Sequence, residues 1–125
     1  MNLARKGLFI IGGGGHSRVV IDSFLKSGRQ IDGIVDPAYE KDELIVGIPV
    51  IGGDDILDTF STDAVQLING VGVLPGRLGR WKIADDLRQR GFKFVSVVDL
   101  EAVVASNVKV SEGAQVLAGC ILQNG

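Results

Sequence analysis

The stretch "LFIIGGGGHSRVVIDSFL", Leu8 to Leu25, sets four glycines between a run of bulky apolar residues and a segment with helical spacing. Gly7 to Ile11 reads as a buried parallel strand, because it is a short unbroken apolar run that ends in a glycine turn. His16 to Lys26 reads as a helix, with Val19, Val20, Phe24 and Leu25 on its apolar side and Ser27-Gly28 as its stop. Working outward, Gln30 to Val35 is the next strand, closed by Asp36-Pro37, since proline disfavours a helical conformation in the residue before it. "VGIPVIGG", Val46 to Gly53, holds a short strand between glycines, Asp54 or Asp55 caps a brief helix through Phe60, and Ala64 to Ile68 is a further strand. Arg77 to Arg90 carries the strongest helical pattern: Leu78, Trp81, Ala84 and Leu87 recur every three residues, and Gly91 terminates it. Phe92 to Val98 completes the set. Strands alternating with helices predict an α/β fold, a Rossmann-like parallel sheet with right-handed crossovers over residues 1 to about 100.

From Ala102 onward charge nearly vanishes and the period changes. Val98, Val104, Val110, Val116 and Leu122 recur every six residues, with small residues or Val four after several of them, at Val108, Ala114 and Cys120. Neither a helix nor an amphipathic strand produces this repeat. A hexapeptide β-helix does, because each hexad forms one short strand and corner and points its aliphatic residue into a narrow prism. The expected division is therefore 1–100 and 101–125, the second part being the beginning of a β-helix, little more than one coil.

Composition limits the partners. With 13 Lys+Arg against 15 Asp+Glu and no basic stripe, no nucleic-acid or anionic-membrane surface is expected, and the partner is a small molecule. Cys120 is the only cysteine, which rules out an internal disulfide and a cysteine zinc cluster and is the usual pattern of a cytoplasmic protein. No signal peptide is visible, and no segment approaches the roughly 20 apolar residues of a membrane span.

Glycines after a first strand let backbone N–H groups approach a ligand, and the helix N-terminus that follows favours negative charge, so the favoured ligand group is a phosphate. Gly12, Gly14 and Ser17 occupy the three spacing positions of the dinucleotide fingerprint, and Asp36 lies about where that fingerprint places an acid against a ribose. The same glycines would also serve close packing of helix on sheet. Asp36 would serve equally to cap the Pro37 turn. His16 can donate to a phosphate or sugar or act as a base, or can simply cap or pack. Arg18 is placed to reach a phosphate or to lie in solvent. Asn69, Gly70 and Gly72, within "NGVG", end a strand on the same carboxyl edge, where open α/β sheets bind ligands.

Taken together, "GGGGHSRVVIDSF", "VDP", "GIPVIGG", "NGVG", "RGFKFVSVV" and "AVVASNVKVSEGAQVLAGCILQNG" resemble the sialic acid O-acetyltransferase and UDP-4-amino-sugar N-acetyltransferase family, of the bacillosamine and perosamine type. The resemblance runs over essentially the whole chain. It implies an N-terminal domain that holds a nucleotide-sugar, and a left-handed β-helix that trimerises and binds acetyl-coenzyme A between neighbouring subunits. On it, Gly12, Gly13, Gly14, Gly15, His16 and Ser17, with Arg18 beside them, would face the diphosphate and sugar. Asp36 and Pro37 would meet the uracil or ribose, and Asn69 to Gly72 would form the wall. The family's catalytic histidine falls on a later coil, beyond Gly125, so His16 is not that residue and this chain would bind the acceptor without acetylating it. Two other readings fit the residues: an NAD(P)-binding dehydrogenase domain, against which the hexads speak, and a noncatalytic module that senses a metabolite and assembles through its tail.

Overall fold

The computed structural model describes residues 6–72, 79–106, 109–117 and 121–122. The expected helix start at Arg77 and Leu78, the side chain of Trp81, and Val108 and Cys120 of the hexads lie outside the described residues.

The chain is a Rossmann-like α/β structure built around a mostly parallel sheet. β1 (Gly7–Ile11) is central, with β2 (Gly33–Val35) parallel on one side and β5 (Val65–Asn69) parallel on the other. β4 (Ile48–Gly52) runs parallel outside β2, and β3 (Leu44–Ile45) adds an antiparallel edge, giving the order β3-β4-β2-β1-β5. The chain thus winds from β1 to β2 to β4 in one direction and then crosses to the far side of β1 for β5. That reversal opens a crevice at the carboxyl ends of β1 and β5, where Ile11 and Asn69 are register partners.

Alternation along the strands sends successive side chains to opposite faces of the sheet. Leu8, Ile10, Ile34 and Ile68 pack on one face with Val20, Ile21 and Phe24 of helix α1 (Gly15–Leu25). Ile11, Val35, Val65 and Leu67 pack on the other with Leu57 of a 3₁₀ turn (Asp54–Thr59) and with Ala84 and Leu87 of helix α2 (Gly79–Gln89). Fully burying one such side chain is worth about 1.5–3 kcal/mol, so these two layers supply most of what holds the sheet.

Several expectations are corrected. The buried stripe of α1 is Ser17, Val20, Ile21 and Phe24, at the i, i+3, i+4, i+7 spacing of one helix face, and this turns Val19 and Leu25 outward at 51% and 40% exposure. The brief helix after Gly53 is a 3₁₀ turn, and strand β3 was not anticipated. Phe92 to Val98 is not one strand. Phe94 bridges in parallel to Leu67, and the chain then leaves the sheet, because the Val97 N–H donates to the Ala114 carbonyl (2.8 Å).

The segment that follows makes its own parallel ladders. β6 (Val97–Val98) pairs with β8 (Gln115–Val116), and β7 (Val103–Val104) pairs with β9 (Ile121–Leu122). In both ladders the partners are eighteen residues apart, with Val98 opposite Val116 and Val104 opposite Leu122. Val116 is buried, while Val98 is 37% exposed and its neighbour Val97 is the residue that joins the α1 layer.

Candidate functional site

The crevice is shaped first by backbone. Gly12 takes φ +94°, a conformation that L side chains rarely adopt, and its N–H donates to the Val35 carbonyl (2.8 Å) as the chain turns off β1. Across the crevice the Gly70 N–H donates to the Ile11 carbonyl (2.8 Å), and a Cβ there would lie 2.7 Å from Ser17 Oγ and 2.8 Å from Ile11 O. β5 therefore passes close under α1. Gly14, the N-cap of α1, and Gly15 are different: a Cβ placed on either would find no atom within 4 Å, so their faces border open space. No side chain caps this helix and no acid sits in its first turn, which leaves its positive end directed at that space.

A cleft of about 470 Å³ lies there, lined by Gly12, Gly14, Gly15, His16, Asp36, Gly70, Val71 and Gly72. Seven of these were expected from sequence, and Val71 adds an apolar wall. The remaining expected residues stand elsewhere. Gly13 is buried behind the loop, Arg18 and Pro37 are exposed, and Asn69 is buried with its Oδ1 accepting the Val71 N–H (3.1 Å). Ser17 is fully buried under Gly70, and its Oγ has no hydrogen-bond partner among the described residues.

Asp36 is the hinge of the loop. Its Oδ2 accepts the Gly13 N–H (2.9 Å) and its Oδ1 accepts the Ala38 N–H (2.9 Å), so one carboxylate pins the glycine turn and caps the Pro37 turn. Tyr39 completes the clamp by donating its hydroxyl to the Gly13 carbonyl (3.2 Å). Tyr39 was missed from sequence. Its only trace in the sequence is that the chain's single tyrosine falls three residues after Asp36.

His16 forms the partition between this cleft and a second hollow of about 560 Å³ on the hexad side. Its Nε2 lies 3.0 Å from Gln115 Oε1, and Gln115 Nε2 donates to the Asn69 carbonyl at 2.5 Å. Gln115 was also missed. A long amide beside the repeat residue Val116 is the only hint the sequence carries. Among the described residues no group of three or more His, Cys, Asp or Glu is arranged to hold a metal, and no helix is long and apolar enough to cross a membrane.

Residues 7–87 match the family model described as the PglD N-terminal domain. The chain belongs to that family. Comparison with curated proteins gave no match. Among solved structures it is similar to a variant of perosamine N-acetyltransferase from Caulobacter crescentus, with one histidine changed to asparagine, in complex with CoA and GDP-perosamine. The two are 33% identical with a TM-score of 0.82, over 98% of this chain and 57% of that one. PerB from Caulobacter crescentus, with the same two ligands, is 34% identical with a TM-score of 0.79, over 98% of this chain and 56% of that one. The acetyltransferase domain of PglB from Neisseria gonorrhoeae, in complex with acetyl coenzyme A, is 24% identical with a TM-score of 0.80, over 94% of this chain and 56% of that one, and shows the shared fold. The chain spans little more than half the length of these structures.

Proposed function

We propose that residues 1–100 form the acceptor-holding unit of an acetyl-CoA-dependent sugar N-acetyltransferase, and that the acceptor is a nucleoside-diphosphate-linked amino sugar of the kind used to build surface glycans. The observation that carries this is the cleft at the sheet's reversal point, where an uncapped helix start and two open-faced glycines meet the end of β5. The diphosphate would lie against the first turn of α1, and the sugar would extend along Gly70 to Gly72. The relatives at 33–34% identity hold a GDP-linked sugar, whereas the resemblance of the motifs is to UDP-sugar enzymes, so the class common to both is the nucleoside diphosphate.

The segment 101–125 is, on this proposal, the beginning of a left-handed β-helix. Two ladders with partners eighteen residues apart support it, because three hexads make one coil and bring each repeat residue over its equivalent. Acetyl-CoA would be held by hexad coils of the trimer, and no residue described here is assigned to it. None of the residues here is assigned the base that deprotonates the sugar amine, and His16 in particular serves the acceptor cleft. A cytoplasmic location agrees with both small-molecule partners.

Titration calorimetry with UDP, GDP, NAD and acetyl-CoA tests the proposal. A uridine or guanosine diphosphate should bind and NAD should not. NAD binding in preference to both diphosphates would return the chain to the dehydrogenase class.

A further inference from the structure

We infer that Gln115 is a positioning residue for His16: it holds the proton of the neutral imidazole on Nε2 and ties the wall of the acceptor cleft to the hexad segment. The orientation of the Gln115 amide follows from its surroundings. The Asn69 carbonyl can only accept, so the nitrogen end of the amide faces it, at 2.5 Å. The oxygen end is then left for His16 Nε2, 3.0 Å away, and that contact is attractive only if Nε2 carries a hydrogen. Turning the amide over would set carbonyl oxygen against carbonyl oxygen. Second partners of this kind commonly fix the tautomer and the plane of an imidazole.

The bond crosses ninety-nine residues of sequence, and its place is set by ladder register. Gln115 pairs with Val97, and the next residue, Val116, is buried. Alternation along β8 therefore directs Gln115 to the side away from Val116, towards the α/β unit. A slip of one residue would exchange the two and break both amide bonds. His16 in turn walls both the cleft and the hollow on the hexad side. The shape of the cleft thus depends on correct stacking of the first ladder, a dependence that rests on the acceptor reading only for its functional meaning.

His16 is the single histidine of the chain, so its two ring nitrogens can be read by nitrogen-15 NMR without ambiguity. At a pH where the ring is neutral, the chain should show a protonated Nε2 whose hydrogen exchanges slowly with water. Gln115→Leu should speed that exchange by about tenfold or more, the loss of roughly one hydrogen bond. Gln115→Glu keeps an acceptor for Nε2 but loses the donor to the Asn69 carbonyl, so Nε2 should stay protonated while its hydrogen exchanges faster than in the unaltered chain. A protonated Nδ1 in the unaltered chain, or a Gln115→Leu protein with dispersed amide signals and unchanged ring-proton exchange, would overturn the inference. If Gln115→Leu does not fold, the unaltered chain and Gln115→Glu still decide it. These signals need no ligand, so a failure of nucleotide binding would strike the proposed function and leave this inference standing.

Discussion

Among single residues, the glycine turn separates into positions that serve the fold and positions that serve a ligand. Gly70 belongs to the first kind. A methyl group there meets the Ile11 backbone oxygen at 2.8 Å, and backbone cannot give way as a flexible side chain can. Gly70→Ala should therefore cost about 1–3 kcal/mol, read as a lower urea midpoint with an unchanged slope. Gly14 belongs to the second. Its φ of −79° suits any residue and its open face touches nothing, so Gly14→Val should cost no more than about 1 kcal/mol of stability, the usual difference between N-cap glycine and a poor cap. The same substitution fills the space above the helix start, and nucleotide affinity should fall at least about tenfold. Unchanged affinity would move the site off the loop. Tyr39→Phe removes only the hydroxyl held by the Gly13 carbonyl, and should cost about 0.5–1.5 kcal/mol.

Between elements, the sheet and the hexad segment are joined through a buried ionised group at the boundary expected from composition. Asp99 is 2% exposed. Its Oδ1 accepts the Glu101 N–H (2.8 Å) and its Oδ2 lies 3.3 Å from Lys26 Nζ at the end of α1. A hydrogen bond from Ser23 is the largest influence holding the Asp99 carboxyl below its usual 3.8, followed by the Glu101 N–H; burial works against them, and Lys26 adds to the lowering. Lys26 is raised above 10.5, first by its hydrogen bond to Asp99, with burial opposing. For an acid whose folded value is depressed, the stabilisation is present above the unfolded value and is lost as pH falls through the folded one. For a raised lysine it is present below the unfolded value and lost as pH rises through the folded one. The junction should therefore contribute fully between about pH 4 and 10.5. Thermal melts should show Asp99→Asn less stable than the parent at pH 7, with the difference shrinking as pH drops below 3.8. A constant difference down to pH 2 would place the effect in packing and not in charge.

Across the whole molecule, the parallel sheet was legible because its strands are short, mainly apolar runs set off by glycine, proline and polar turns, a pattern that local chemistry alone produces. The site's floor was legible for the same reason, since a glycine turn must sit where β1 ends. What escaped depends on long-range packing. Which side of α1 faces inward was misjudged at Val19 because Ile21 and Ser17 complete a stripe that only the sheet's position selects. Tyr39 and Gln115 reach the site from 26 and 46 residues away from the backbone they hold, and no period or motif announces such bonds. Everything proposed for function turns on whether the cleft between β1 and β5 holds a nucleoside diphosphate against the start of α1. Backbone amide NMR during titration with a nucleotide-linked 4-amino sugar reads this out residue by residue. The largest shifts should fall at Gly14, Gly15, His16 and Ser17, with a second group at Gly70 to Gly72; shifts confined to other faces, with these amides unmoved at saturation, would contradict it.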